Sequence, residues 1–409
     1  MKRKLIHKLL EWKELGGKNP LLLTGGKGVG KTNLCLEFAK TFYSSYIYMN
    51  YELNINSLEQ SDTKKITTNY ILNYMKQVDS PEPVLFILDE VSFFDDFYNL
   101  VDELKGNGNI HMIVISSIHV FQKVAEYDKL TLYPLDFEEF LLAVNKEWYI
   151  GVIIEHFGTN LPIPDIVHSE LLYLLDIYLQ VGGMPLAVNE YVCSGVLFNI
   201  AQMHKLILNG YLSESCSDYM EVGNIRVGQI LKILPLQLGK ANKKFQYSLI
   251  RKGVTKKLYT DALEYVKHTF YAMDCHRIEE SDEDYQQFKL YLFDTGILNS
   301  LSIECKLDNQ KEFKKGLIEN YVAMHLFMKG YPLRFWESES KAKIEFVMEY
   351  NTDWIPIEVR SDHNTRSKSL SMFRSKYCNT GEGIKISTRN FTYENHIKYV
   401  PLYAVFCIG

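Results

Sequence analysis

"LLLTGGKGVGKTNL", residues 21–34, opens as an apolar run, breaks into glycines and closes on a Lys-Thr pair that leads into helix-like spacing. Leu21 to Leu23 reads as a buried strand and Asn33 to Ala39 as the first turns of a helix. Between them Gly25, Gly30, Lys31 and Thr32 satisfy G-x-x-x-x-G-K-[ST] at every defined position. Glycines let successive backbone N–H groups turn inward into a concave anion site, and the helix behind adds the positive end of its dipole. Two glycines at that spacing also occur in ordinary strand–turn–helix corners. Here the strand before and the helix after decide for a phosphate loop. The cradle is expected from Gly25, Gly26, Lys27, Gly28, Val29, Gly30, Lys31, Thr32 and Asn33, with Lys31 on the terminal phosphates and the Thr32 hydroxyl on Mg²⁺. The expected ligand is a nucleoside triphosphate with magnesium.

A chain of 409 residues is too long for a single core and predicts about two to four domains. Hydrophobic residues at 46% and charged residues at 23% are those of an ordinary globular protein. No apolar run approaches the roughly 20 residues needed to cross a bilayer, so no membrane partner is expected. The start, "MKRKLIHKLLEWKELGG", has a short, charge-interrupted apolar stripe and reads as a surface helix rather than a signal peptide. Seven cysteines are scattered without a C-x-x-C pair, which argues against a zinc ribbon or a disulfide framework. The expected compartment is reducing and cytoplasmic.

Four further segments have the pattern of strands covered on both faces: "YIYMN" (46–50), "VLFIL" (84–88), "MIVIS" (112–116) and "LTLYP" (130–134). Helix-length stretches separate them, which predicts a doubly wound parallel α/β sheet with its ligand at the carboxyl ends of the strands. Asp89 and Glu90 directly follow "VLFIL", so Asp89 is read as serving the metal and Glu90 as the general base that polarises an attacking water. Ser116 and Ser117 end the next strand, and either hydroxyl is a candidate for the γ-phosphate or the lytic water.

The order of phosphate loop, D-E strand end, polar strand end and "LYPLDFEEF" (132–140) resembles the bacterial and archaeal AAA-type ATPases. "VGGMP" (181–185) and "KGLIENYVA" (315–323) narrow the resemblance to a subfamily with a C-terminal restriction-endonuclease-like domain of unknown function. The resemblance implies four parts: an ATPase core over 1–165, a helical lid over 166–225, a winged-helix-like domain over 226–300 and a nuclease-like domain over 301–409. It also implies ATP rather than GTP. The absence of an N-K-x-D element agrees, since "VNKEW" (144–148) lacks the acid. One departure stands out. No arginine occurs from Lys4 to Ile225, so where relatives place an arginine finger only Lys123 or Lys129 is present. Lysine lacks the planar fork, and such a finger is worth about 10³ to 10⁵ in rate. Slow hydrolysis is expected unless Arg226, Arg251, another distal arginine or a partner, another copy included, supplies the charge.

In the lid, "SELLYLLDIYLQVGG" predicts a helix capped at Ser169 and stopped at Gly182-Gly183. Beyond it, "VGQILKILPLQL", "FQYSLIRKG" and "YTDALEYVKHTFYAMDCHRI" read as three helices before a β-like "FKLYLFDTGIL". Charge is segregated here: Arg226 to Thr260 carries nine Lys or Arg and no acid, while Asp261 to Leu290 holds eight acids against three bases. Bases from Lys240 to Lys257, with Phe245 and Tyr247 interleaved, form a candidate DNA contact.

In the last part, a helix bearing Glu319 precedes strands "AKIEFVMEY" and "WIPIEVRS" with Glu345, Glu358 and Arg360. The resemblance implies that these four occupy the metal and lysine positions of a nuclease site. Glutamate for aspartate, and an arginine that cannot trade a proton, mark that site as degenerate. "VPLYAVF" (400–406) reads as the last core strand. The expected activity is binding and slow Mg²⁺-dependent hydrolysis of ATP, with ADP as product. The alternatives are a nucleotide-gated nuclease and an ATP-binding scaffold without turnover.

Overall fold

The computed structural model describes residues 1–50, 82–91, 109–117, 127–214, 224–278, 287–307, 309–338, 342–361, 368–377 and 379–409. They form two compact units, one of residues 2–133 with 268–270, the other of residue 1, 134–267 and 271–409.

The first unit contains α1 (Ile6–Glu14), β1 (Leu21–Thr24), α2 (Lys31–Phe42), β2 (Tyr46–Asn50), β3 (Val84–Asp89), β4 (Ile110–Ser116) and β5 (Asp128–Thr131). The strands are parallel in the order β2-β3-β4-β1-β5. Every residue of β1, β3 and β4 is buried, as near-continuous apolar runs in a doubly covered sheet require, whereas the edge strands β2 and β5 are partly exposed. The last strand lies earlier than the expected 130–134. Leu132 donates its N–H to Thr24 O, and Pro134 then has no N–H with which to continue a ladder. The strand order brings the carboxyl ends of β1, β3 and β4 side by side. Those ends are the start of the glycine loop, Asp89 and Ser116.

The second unit begins with helices α3 (Phe137–Ala143), α4 (Trp148–Thr159), α5 (Asp165–Val181), α6 (Pro185–Ser194), α7 (Ile200–Glu214) and α8 (Asn224–Leu238). α5 starts four residues before the expected Ser169 cap. Pro164 precedes it with φ −51°, and Asp165 sits in the first turn against the helix dipole. Its end is where the glycines predict it, and the reason is steric. A Cβ on Gly182 would fall 2.2 Å from Asp294 Oδ1, and one on Gly183 would fall 2.0 Å from the Leu135 carbonyl oxygen. Gly183 donates its N–H to Asp294 Oδ2 at 2.7 Å and accepts from Leu135 N at 2.7 Å. "GGMP" is therefore a crossing point of three chain segments.

The segment "FQYSLIRKG" is a single 3₁₀ turn (Tyr247–Leu249) rather than a helix. Phe245 N donates to Phe288 O, and the Gln237 amide holds Lys244 O and Gln246 N, so the chain is extended where helical bonds would be needed. The expected long helix also divides, into α9 (Lys256–His268) and β6 (Ala272–Arg277), with Phe270 at φ 58° between them. There follow β7 (Phe288–Leu292), α10 (Thr295–Glu304), α11 (Gln310–Met328), β8 (Arg334–Glu337), β9 (Lys343–Ile344), β10 (Phe346–Tyr350), β11 (Asp353–Val359), α12 (Lys368–Lys376), β12 (Gly383–Ser387), β13 (Thr392–Glu394) and β14 (Ile397–Pro401). One sheet has the order β7-β6-β8-β9 and the other β10-β11-β12-β14-β13. The first sheet joins strands from both sides of residue 300. "VPLYAVF" is only half strand: β14 stops at Pro401, which lacks an N–H, and Leu402–Cys407 turn into a buried 3₁₀ helix.

Candidate functional site

The glycine loop runs from the end of β1 to the first turn of α2. Gly25 has φ 146°, and a Cβ there would lie 2.1 Å from Leu132 O, so the loop hugs the chain leaving β5 and only glycine fits. Lys31, at the start of α2, is 4% exposed. Its ammonium donates to Gly25 O at 2.8 Å, Gly26 O at 3.0 Å and Ser117 Oγ at 3.0 Å. Burial pulls its pKa down to about 8, against the opposing charges of Glu90 and Asp89. The Ser117 hydroxyl in turn lies 3.1 Å from both carboxylate oxygens of Glu90. Lys31, Ser117 and Glu90 thus form one chain.

Of the two candidate serines, Ser117 is the one brought to Lys31 and Glu90. Ser116 is buried within β4, opposite Thr24. Asp89 is 1% exposed and closes the cluster from the β3 end. Its Oδ2 accepts from the Thr32 hydroxyl at 2.6 Å and from the Tyr48 hydroxyl at 2.9 Å, and its Oδ1 accepts from Glu90 N at 2.9 Å. Glu90 itself has φ 48°, a left-handed backbone rarely taken by a glutamate. A hydroxyl beside a buried carboxylate is the hard oxygen donor pair that suits Mg²⁺.

Two residues at this site went unmarked in the sequence. Tyr48 is an aromatic inside a β run, and its hydroxyl becomes visible only when β2 pairs with β3. Arg3 stands outside every motif. Its guanidinium donates from Nη1 to Val29 O at 2.8 Å and from Nη2 to Tyr133 O. In a trans peptide the C=O and the following N–H point oppositely, so holding the Val29 carbonyl toward Arg3 turns the Gly30 N–H away from it. The absence of other arginines before Arg226 was the available signal. Lys129 lies exposed on β5 opposite Leu22, and Lys123 falls outside the described residues.

The four C-terminal residues Glu319, Glu345, Glu358 and Arg360 also come together, with unexpected company. Glu319 Oε1 pairs with Lys243 at 2.8 Å, while its Oε2 lies 3.8 Å from Lys289 and 3.3 Å from the Tyr291 hydroxyl. Burial opposes its ionisation, but the charges of Lys243 and Lys289 hold its pKa below the ordinary value. Glu345 accepts from Val359 N at 3.0 Å. Burial, then the charge of Glu319, push its pKa up to about 7. Glu358 Oε1 accepts from Arg360 Nε at 2.9 Å. Its Oε2 lies 3.7 Å from Lys385, which is 0% exposed and pairs with it in register across β11 and β12. Lys385 is a residue the sequence reading missed, although a lysine between isoleucines ("GIKIS") is the mark of one drawn into a sheet. Among the described residues no group of three His, Cys, Asp or Glu side chains is arranged to hold a metal ion.

The basic segment is divided in use. Lys243 is taken by Glu319, and Lys244 by Glu337 at 2.7 Å. Lys240, Arg251, Lys252, Lys256 and Lys257 are exposed.

Residues 17–141 match the model of an AAA domain, and this part of the chain is a P-loop ATPase domain of the AAA type. Residues 173–311 match a domain of unknown function (DUF8612), and residues 314–405 match another (DUF4143). No curated protein matches the chain. Among solved structures, the chain is similar to the Walker-type ATPase PABY2304 of Pyrococcus abyssi, at 16% identity and a TM-score of 0.46, covering 74% of this chain and 95% of that one. It is also similar to PCH-2 of C. elegans, at 18% identity and a TM-score of 0.26, covering 51% and 65%. No described helix is long and apolar enough to cross a membrane.

Proposed function

We propose that the protein binds ATP in the 25–33 loop and hydrolyses it slowly with Mg²⁺. The observation that carries this reading is the chain Lys31–Ser117–Glu90 beside Thr32–Asp89, all at the carboxyl ends of the central strands. Lys31 leaves the neutral carbonyls of Gly25 and Gly26 for the phosphates, because an anionic acceptor makes the stronger, charge-assisted bond. The Ser117 hydroxyl, which already donates to the Glu90 carboxylate, keeps it in place, and Glu90 takes a proton from water as that water attacks the γ-phosphorus in line and ADP leaves. The Thr32 hydroxyl and the Asp89 carboxylate would hold Mg²⁺, which would supply charge neutralisation at the phosphates. Turnover is slow because Arg3 is committed to two carbonyls and no other arginine precedes Arg226.

On this reading the nucleotide state is passed to the winged-helix-like and nuclease-like parts. The five exposed bases from Lys240 to Lys257 give those parts a contact for nucleic-acid phosphates. A steady-state phosphate-release assay, with and without DNA, tests the proposal. Lys31→Ala should bind no ATP. Glu90→Gln should bind ATP and lose turnover by about 10²- to 10⁴-fold. A Glu90→Gln protein hydrolysing at the parent rate would remove Glu90 as the base. Release at background by the parent, with Mg·ATP binding intact, would leave the scaffold reading standing.

A further inference from the structure

A cavity of about 350 Å³ lies between α9 and the β6–β7 pair, in the range of small-ligand pockets. Tyr247 and Phe288 form its aromatic wall. Phe245 stacks behind Phe288, with ring centres 5.3 Å apart and planes at 14°, and stands edge-on to Tyr247 at 5.1 Å and 84°. The wall is therefore rigid. The Tyr247 hydroxyl is buried and has no hydrogen-bond partner, a condition that calls for a ligand or a water.

The polar side is built from Lys267, Asp274 and His276. Asp274 Oδ2 accepts from Lys267 Nζ at 3.2 Å and from His276 Nε2 at 3.0 Å, and Lys267 also pairs with Glu264 at 2.7 Å. Asp274 and His276 thus lie on the same sheet face as Phe288, whose ring centre is 6.0 Å from that of His276, its partner in register, so donors and a carboxylate acceptor stand beside the ring. Lys256, one of the five exposed bases, also lines the cavity, with Lys257, Lys252 and Arg251 next to it in sequence.

We propose that this cavity takes one unpaired base of a single-stranded nucleic acid, stacked on Tyr247 and Phe288 and hydrogen-bonded along its edge by Lys267 and Asp274. The charges dictate the orientation. Inside, Asp274 and Glu264 hold the Lys267 ammonium, whereas exposed lysines and arginine accept the backbone outside. Asp274 stays an acceptor at every physiological pH. Burial would raise its pKa, but the His276 hydrogen bond and the Lys267 charge take it down to about 2. A duplex cannot use the site, since its bases are stacked and their edges are already paired. The inference rests on the nucleic-acid contact proposed above, and adds which form of nucleic acid is held and by what.

The test is fluorescence anisotropy of full-length protein carrying Lys31→Ala, which silences the loop at 25–33, with a labelled single-stranded 12-mer, its duplex and an abasic 12-mer. The single strand should bind at least tenfold tighter than the duplex. Phe288→Leu should weaken it about 5- to 150-fold, the range of one base–aromatic stack, and leave duplex binding unchanged. Tyr247→Phe, which removes only the orphan hydroxyl, should weaken the single strand with the melting temperature unchanged. The abasic strand, whose behaviour does not depend on any variant folding, should bind like the duplex. Equal binding of abasic and normal strands, or a duplex bound as well as the single strand, would overturn the proposal. If Arg251→Gln with Lys252→Gln then lowered every affinity, the phosphate contact would survive without the pocket. Absence of binding to all three probes would remove both.

Discussion

Raising the pH from 7 to 9 should weaken Mg·ATP binding about tenfold, and Lys31 is the reason. Its ammonium is buried among two carbonyls and one hydroxyl, and its pKa is about 8 instead of 10.5. Bound to a triphosphate it faces several anionic oxygens, which restore the charged form. With a free-state pKa near 8, and a triphosphate that keeps the bound lysine charged, the apparent Kd scales as one plus the ratio of neutral to charged lysine in the free protein. That factor is about 1.1 at pH 7 and about 11 at pH 9. Binding must take up about 0.1 proton at pH 7 and about 0.9 at pH 9. Isothermal titration with a non-hydrolysable ATP analogue, in two buffers of different ionisation enthalpy, reads both quantities.

The same shift has a stability signature. The unfolded chain holds the Lys31 proton up to pH 10.5, while the folded chain releases it near pH 8, so the unfolded state binds more protons between those values. Stability of the free protein therefore rises with pH across that window, by about 3 kcal/mol for this group alone, and the full penalty persists below pH 8. A Kd constant within about twofold from pH 7 to 9, with no proton uptake at pH 9, would refute the reasoning.

Arg3→Ala should weaken ATP binding about 10- to 100-fold, the worth of a hydrogen bond to a charged group. Calorimetry should show Arg3→Lys recovering part of the loss, whereas an unchanged Kd in Arg3→Ala would mean that the loop holds its shape unaided. Gly183→Ala drives a Cβ to 2.0 Å from a backbone oxygen, so thermal melting should show a loss of about 3 kcal/mol or more, or no folded protein. A shift of under 2 °C would contradict the crossing. Glu345→Gln should flatten part of the pH dependence of stability. The folded group keeps its proton to about pH 7 while the unfolded one loses it near 4.5, so stability falls as pH rises between those values, and denaturant midpoints at pH 5 and pH 7 should converge in the variant.

The parallel sheet was legible because buried strands at the centre of a doubly covered sheet must be apolar at every position. "VLFIL" meets that demand at every residue and "MIVIS" at all but Ser116, and all of β3 and β4 is buried. The loop was legible for a related reason: close backbone approach permits only glycine at positions such as Gly25. What the sequence hid is contact made by distant chain. Nothing local marks Arg3 as the partner of Val29, since 26 residues separate them. "FQYSLIRKG" has helical spacing, yet the backbone bond from Phe245 to Phe288 and the Gln237 amide claim the groups a helix would use. The basic run looked uniform because charge counts ignore direction, and only the fold turns Lys243 and Lys244 inward to Glu319 and Glu337.

The two charged clusters differ in what a phosphate or a metal would have to displace. At the loop, Lys31 is held by neutral acceptors in a setting that makes its charge costly, so a triphosphate replaces weak bonds with strong ones and relieves the burial penalty. In the C-terminal part, Glu319, Glu345 and Glu358 stand among four cations: Lys243, Lys289, Arg360 and Lys385. A divalent ion entering there would meet acids already neutralised and would have to expel buried ammonium or guanidinium groups, each of which would then lack its partner. The first arrangement invites its ligand and the second resists one. The same electrostatic logic that favours ATP at Lys31 therefore weighs against metal-dependent cleavage at Glu358, and assigns Glu319 to tying α11 to β7 and Lys243, and Glu358 to tying β11 to β12.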